Sequence, residues 1–145
     1  MKSILAIMAL TILLSCNSNA KQRASVSSLK PDPKKELDAS KERGGLIYTN
    51  FCIQCHMANG KGIPGTFPPL AGSDWLTNKR KESIHAVKYG QTGEIIVNGE
   101  TYNSVMVSMG LSDEEIADVL NYVMNSWGNT QLKMVTASEV GEIQK

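Results

Sequence analysis

Cys52 and Cys55 stand three residues apart in "FCIQCH", and His56 follows the second thiol directly. Such a set could do three kinds of chemistry. Two thiolates and an imidazole can hold zinc, a C-x-x-C pair can cycle between dithiol and disulfide, and C-x-x-C-H can fasten a haem.

A closed structural zinc site needs four ligands. Cys52, Cys55, His56 and His85 are the candidates, and the adjacent Cys55 and His56 do not easily reach one ion. Thiol exchange wants the pair heading a helix in a βαβ unit, and no strong strand precedes "FCIQCH". Haem attachment fits without strain. Two sulfurs so spaced add across the two vinyl groups of one porphyrin edge, while the next residue, His56, turns under the ring to ligate iron. The expected cofactor is one covalently attached haem c.

Iron then needs a sixth ligand or an open position. Met57 adjoins the proximal histidine and cannot reach the opposite face. Met124 lies beside an apolar helical stripe, where methionine is more often core. Met134 sits in the C-terminal tail. Met106 and Met109 remain, in the irregular segment "TYNSVMVSMGLSDEE".

These residues must be carried by the elements around them. The spacing of Leu46, Ile47 and Phe51 predicts a helix running into the thiol pair. "MANGKGIPGTFPPLAGSDW" reads as a long loop, since glycine and proline punctuate it throughout. "NKRKESIHAVKY" predicts a helix stopped by Gly90, and Asn98-Gly99 between apolar-rich arms predicts a tight hairpin. Ser112 with Glu115 forms a capping box. Behind it, Ile116, Val119, Leu120, Val123 and Trp127 make a core-facing stripe, with Gly128 as the stop. "TASE" from Thr136 repeats the capping pattern in a last short turn. The expected fold is an all-α helical domain with one small β-hairpin. Loops so long in so small a domain need a large group to pack on. On the predicted helix His85 reads as solvent-facing or capping, with an axial-ligand role as the alternative. Trp75 and Trp127 read as core, with the Trp75 indole N–H reaching a haem propionate as the alternative. Lys79, Arg80 and Lys81 with Lys88 read as a solvated face or a weak docking patch.

The ends bear on location. After Met1 and Lys2 comes "SILAIMALTILL", an apolar run well short of the roughly 20 residues that span a bilayer. A basic start, a short apolar stretch and a small residue at the break describe an export signal. The break, "LLSC", resembles the lipobox of bacterial lipoproteins, which implies cleavage before Cys16 and acylation of its sulfur. Acyl chains anchor through about 0.8 kcal/mol per buried methylene. The expected organisation is a signal peptide over residues 1–15, a flexible tether over 16–38 and a folded domain over 39–145. Pro31 and Pro33 are expected to stiffen the tether. Of the three cysteines, acylation of Cys16 leaves Cys52 and Cys55 as one pair. Losing Lys2 with the signal turns 15 basic and 14 acidic residues into 14 and 14. That balance argues against nucleic acid as a partner.

The chain resembles the class I cytochromes c, and in particular a bacterial branch that occurs alone, as a subunit, or fused to dehydrogenases and copper nitrite reductases. The likeness is carried by "GGLIYTNFCIQCHMANGKGIPGTFPPLAGSDWL", "VKYGQTGEIIVNGETYNSVM" and "LSDEEIADVLNYVMNSWGN". It implies that Cys52 and Cys55 form the thioethers, that His56 is the proximal ligand and that Met106 is the axial methionine, with Met109 in reserve. It also implies that the Pro68 carbonyl accepts a hydrogen bond from His56, and that Gly44 and Tyr122 mark a close helix crossing. The family loop commonly reads Met-Pro-x-x-Gly, whereas here Val107 follows Met106 and Gly110 keeps its spacing.

The function so implied is single-electron transfer by a lipid-anchored, His/Met monohaem protein on the periplasmic face of a bacterial membrane. Its partners would be redox-protein donors and acceptors. No catalytic base or nucleophile is visible. Two rival readings stand beside it: a haem whose sixth position opens to peroxide or gases, and an electron-transfer subunit of a dehydrogenase or nitrite reductase complex.

Overall fold

A computed structural model describes residues 32–145. The expected signal segment and Cys16 lie outside the described residues. Helix α1 spans Pro33–Phe51, α2 Ile53–His56, α3 Asp74–Asn78, α4 Arg80–Tyr89, α5 Asp113–Val123 and α6 Ala137–Gly141. Strands β1 (Ile95–Val97) and β2 (Glu100–Tyr102) pair antiparallel, Ile95 opposite Tyr102 and Val97 opposite Glu100. The helical domain with one hairpin is as the sequence led us to expect, with Asn98 and Gly99 at the turn, both at positive φ.

Three boundaries differ from expectation. Helix α1 reaches back into the segment read as tether. Asp32 caps it by accepting from the Lys34 amide at 3.0 Å, and Pro33 fills the first turn. Proline is pre-organised for that position, where its missing N–H costs nothing. Residues 33–38 are therefore helical, and Pro33 starts a helix instead of stiffening a linker. Second, Trp75 lies in the short helix α3, capped by Ser73, where a loop was expected. Third, α5 ends at Val123, before Trp127. Trp127 has left-handed φ, which turns its indole onto Tyr48 and Tyr122, with ring centroids 5.1 and 5.6 Å away, and lets Nε1 donate to the Ala58 carbonyl.

The core lies between α1 and α5. Ile116, Val119, Leu120 and Val123 are buried as their spacing requires, joined by Tyr48, Ile84, Val135 and Val140. Two polar groups cross this core. Asp118 accepts from Ser40 at 2.6 Å and from Arg43 Nε and Nη2 at 2.6 and 2.7 Å. Asn121 bonds Ser40 and both receives from and donates to the backbone of Val135. Among the described residues every buried side-chain nitrogen and oxygen has a hydrogen-bond partner, as a stable core demands.

The basic cluster is only partly a solvated face. Arg80 is mostly buried, donating to both carboxylate oxygens of Glu139 at 2.7 and 2.8 Å, to Gln131, and to the Met134 carbonyl. Lys88 is similarly buried. Lys79 and Lys81 are exposed as expected.

Candidate functional site

Cys52 caps the C-terminus of α1, its amide bonded to the Tyr48 carbonyl, and α2 carries Cys55 and His56 directly after it. The chain then reverses at Met57, which has φ 63° and whose carbonyl accepts from the Tyr48 hydroxyl at 2.7 Å. The glycine- and proline-rich loop returns Pro68 to the histidine. His56 Nδ1 donates to the Pro68 carbonyl at 3.0 Å. A carbonyl can only accept, so Nδ1 carries the proton and Nε2 is left as the basic nitrogen, the form in which imidazole binds metals.

Cys52, Cys55, His56, Pro68, Met106 and Met109 all line one apolar cleft. Its empty volume is about 1330 Å³ with the open mouth included. Val119, Leu120 and Val123 from the inner face of α5 form part of its wall, and Trp75 contributes another part. The long loops thus help line an apolar cleft, with Phe67, Pro68, Pro69 and Leu70 from one loop and Met106 and Met109 from the other.

Burial sets the chemistry of the donors. It pushes the Cys52 thiol up to about 11, with Cys55 adding to the shift. Burial also lowers the His56 pKa, with the Pro68 carbonyl opposing. A protonated Cys52 thiol and an imidazole kept from protonation by burial, in an apolar cleft, suit a large, flat, covalently fixed cofactor. No group of three or more His, Cys, Asp or Glu side chains among the described residues could hold a bare metal ion.

The two candidate methionines are held differently. Met106 forms an isolated antiparallel bridge with Gln91, its carbonyl accepting from the Gln91 amide at 2.8 Å and its amide donating back at 2.9 Å. Gly90 makes this approach possible: at φ 90°, a Cβ there would lie 2.7 Å from the Met106 carbonyl oxygen. Met109 lies beyond that bridge, nearer α5. Met124 is buried in the core and has Arg80 Nη1 4.0 Å from its sulfur. His85 is partly buried, packs on Tyr89 at 5.2 Å and is not among the residues lining the cleft.

The Gln91–Met106 bridge was missed in the sequence. Its one local sign is Gly90, which was read only as a helix stop.

A family model described as cytochrome c matches residues 41–127. Over 110 residues the chain is 44% identical to cytochrome c-552 of Thermus thermophilus, covering 70% of this chain and 83% of that protein. It is 32% identical over 105 residues to the cytochrome c subunit of the alcohol dehydrogenase (quinone) of Gluconobacter oxydans, covering 70% of this chain and 22% of that subunit. A gluconate 2-dehydrogenase cytochrome c subunit of Pantoea cypripedii is 31% identical over 111 residues, covering 72% of this chain and 24% of that one. The chain thus spans about a quarter of each dehydrogenase subunit but most of the Thermus protein.

Proposed function

From the premise that the chain belongs to the cytochrome c family, a family of electron-transfer proteins with covalent haem c, we propose that it is a monohaem, lipid-tethered carrier with His56 and Met106 as axial ligands. The observation that carries this reading is the convergence of Cys52, Cys55, His56 and Met106 on one apolar cleft. Bound there, a haem supplies a one-electron iron couple whose potential its axial donors set.

The residues around the cleft do the rest. Cys52 and Cys55 fix the cofactor covalently. Pro68 holds the His56 ring in one tautomer and orientation, as outer-shell partners do for metal ligands. The apolar walls exclude water, and a thioether donor favours the reduced state. With His56 and Met106 both holding the iron, no place would be left for a substrate, which suits a carrier. We assign none.

Export and acylation at Cys16 would hold the domain at the periplasmic face, with donors and acceptors among redox proteins. None of the helices among the described residues is long and apolar enough to cross a membrane; the proposed lipid anchor is supported by the likeness of "LLSC" to a lipobox. A tether from Cys16 raises local concentration at the surface, which offsets the weakness of brief electron-transfer encounters. The likeness to dehydrogenase cytochrome subunits favours a second reading, in which the domain serves such a complex.

The test is optical. The oxidised, haem-loaded protein should show the weak far-red sulfur–iron band, lost in Met106→Ala and kept in Met109→Ala. Carbon monoxide should bind the reduced parent protein slowly or not at all at neutral pH. Rapid stoichiometric binding would count against the carrier. Co-purification of a dehydrogenase from mild detergent would support the second reading.

A further inference from the structure

Met106 sits in a segment, residues 103–112, whose only regular pairing is the bridge to Gln91. Its neighbours do little to bury it, since Val105 and Val107 are 64% and 61% exposed. On the far side of Met106 the chain must run to the start of α5 with no strand or helix to guide it. Irregular segments with few buried apolar contacts open locally at low cost. Something else must hold this loop closed.

Lys88, at the end of α4, meets the loop at both of its ends. Its backbone carbonyl accepts from Ser108 Oγ at 2.8 Å, two residues past Met106. Its ammonium lies 3.2 Å from Asp113 Oδ1, the first residue of α5, and donates to the Val140 carbonyl of α6 at 2.8 Å. The side chain is only 16% exposed, so water competes weakly for the ammonium's contacts. Three residues further on, Gln91 pairs with Met106 itself. Three consecutive anchor points, at Met106, Ser108 and Asp113, therefore converge on residues 88–91.

We propose that Lys88 and Ser108 are positioning residues for the redox site, a staple across the 106–113 loop that sets how often Met106 leaves the cleft. This rests on the reading of Met106 as the axial ligand. Ser108 pins the loop just beyond the ligand, and Lys88 pins its exit into α5. The rate at which an outside ligand replaces Met106 is then governed by two residues that do not line the cleft.

The experiment uses the haem-loaded full chain, with imidazole as an added ligand for the oxidised protein and loss of the far-red band as the readout. Ser108→Ala should admit imidazole roughly fivefold faster, the effect of one lost hydrogen bond on the open population. Ser108→Thr, which keeps the hydroxyl, should match the parent. Lys88→Met, which keeps the apolar stem, should exceed Ser108→Ala. Val107→Pro added to Ser108→Ala should restore slow entry. Proline stiffens the loop through its fixed φ, and Met106, extended in its bridge, has the backbone favoured before proline.

Ser108 is exposed, so Ser108→Ala decides the matter even where Lys88→Met fails to fold. Parent-like entry in Ser108→Ala, with no far-red band in Met106→Ala before imidazole is added, overturns the staple and leaves Met106 as ligand. Survival of the far-red band in Met106→Ala overturns both.

Discussion

Gly44 and Asp118 meet where α1 crosses α5, so closely that a Cβ on Gly44 would lie 2.0 Å from the Asp118 carbonyl oxygen. The next nearest atom outside Asp118 is Tyr122 Cβ, at 2.8 Å. Backbone of a buried helix cannot give way as a flexible side chain can. Gly44→Ala must therefore push the two helices apart, although alanine is the better helix former. The clash outweighs the propensity gain of about 1 kcal/mol. Denaturant unfolding should show a loss of about 3 kcal/mol, at the upper end for overpacked cores. A neutral or stabilising result would mean that the crossing is looser than this geometry requires.

The charge pair beside this crossing should respond unequally to truncation. The Asp118 carboxylate is 11% exposed and serves both Ser40 and Arg43, whereas the Arg43 side chain is 59% exposed. Asp118→Ala leaves a buried hydroxyl short of its partner and should cost about 3 kcal/mol. Arg43→Ala removes a donor that water replaces readily, and should cost about 1 kcal/mol or less. Equal losses in chemical unfolding would contradict this assignment.

The start of α5 gives a local check. Ser112 accepts from the Glu115 amide while the Glu115 carboxylate accepts from the Ser112 amide. Ser112→Ala should lower stability by about 1 kcal/mol, seen as a lower unfolding midpoint with unchanged denaturant slope.

Glu139 makes the C-terminal segment acid-sensitive. Its pKa is lowered from 4.5, first by the hydrogen bond from Arg80, against the effect of burial. A carboxylate whose folded pKa is depressed stabilises the fold above its unfolded value, and loses that contribution as pH falls through the folded value. The parent should therefore lose stability progressively below pH 4.5. Glu139→Gln should be less stable at neutral pH and show a shallower decline on acidification. Parallel pH profiles for the two proteins would contradict the pairing.

Legibility in the sequence followed the range of the interactions. The hairpin at Asn98-Gly99, the cap at Ser112 and the C-x-x-C-H run at residues 52–56 are local patterns, and each gave its element or its donors directly. The start of α1 misled because Asp32 and Pro33 have the composition of a linker yet act as cap and first turn. Trp127 misled because its apolar spacing continues the α5 stripe while its backbone has already left the helix. The pairs Arg43–Asp118 and Arg80–Glu139 join residues 75 and 59 positions apart, and no local pattern marks them. The sequence pointed to side chains that the fold brings to one cleft, but not to what supports them. Gln91, Ser108 and Lys88 are ordinary polar residues until the fold brings them beside Met106.

Mass spectrometry of the protein matured in a host able to attach haem tests the central claim most directly. The account expects the mass of one haem added to the chain, stable to denaturation and absent from the Cys52→Ala, Cys55→Ala double variant. A colourless chain of unmodified mass, or a haem retained through denaturation without those two thiols, would contradict it.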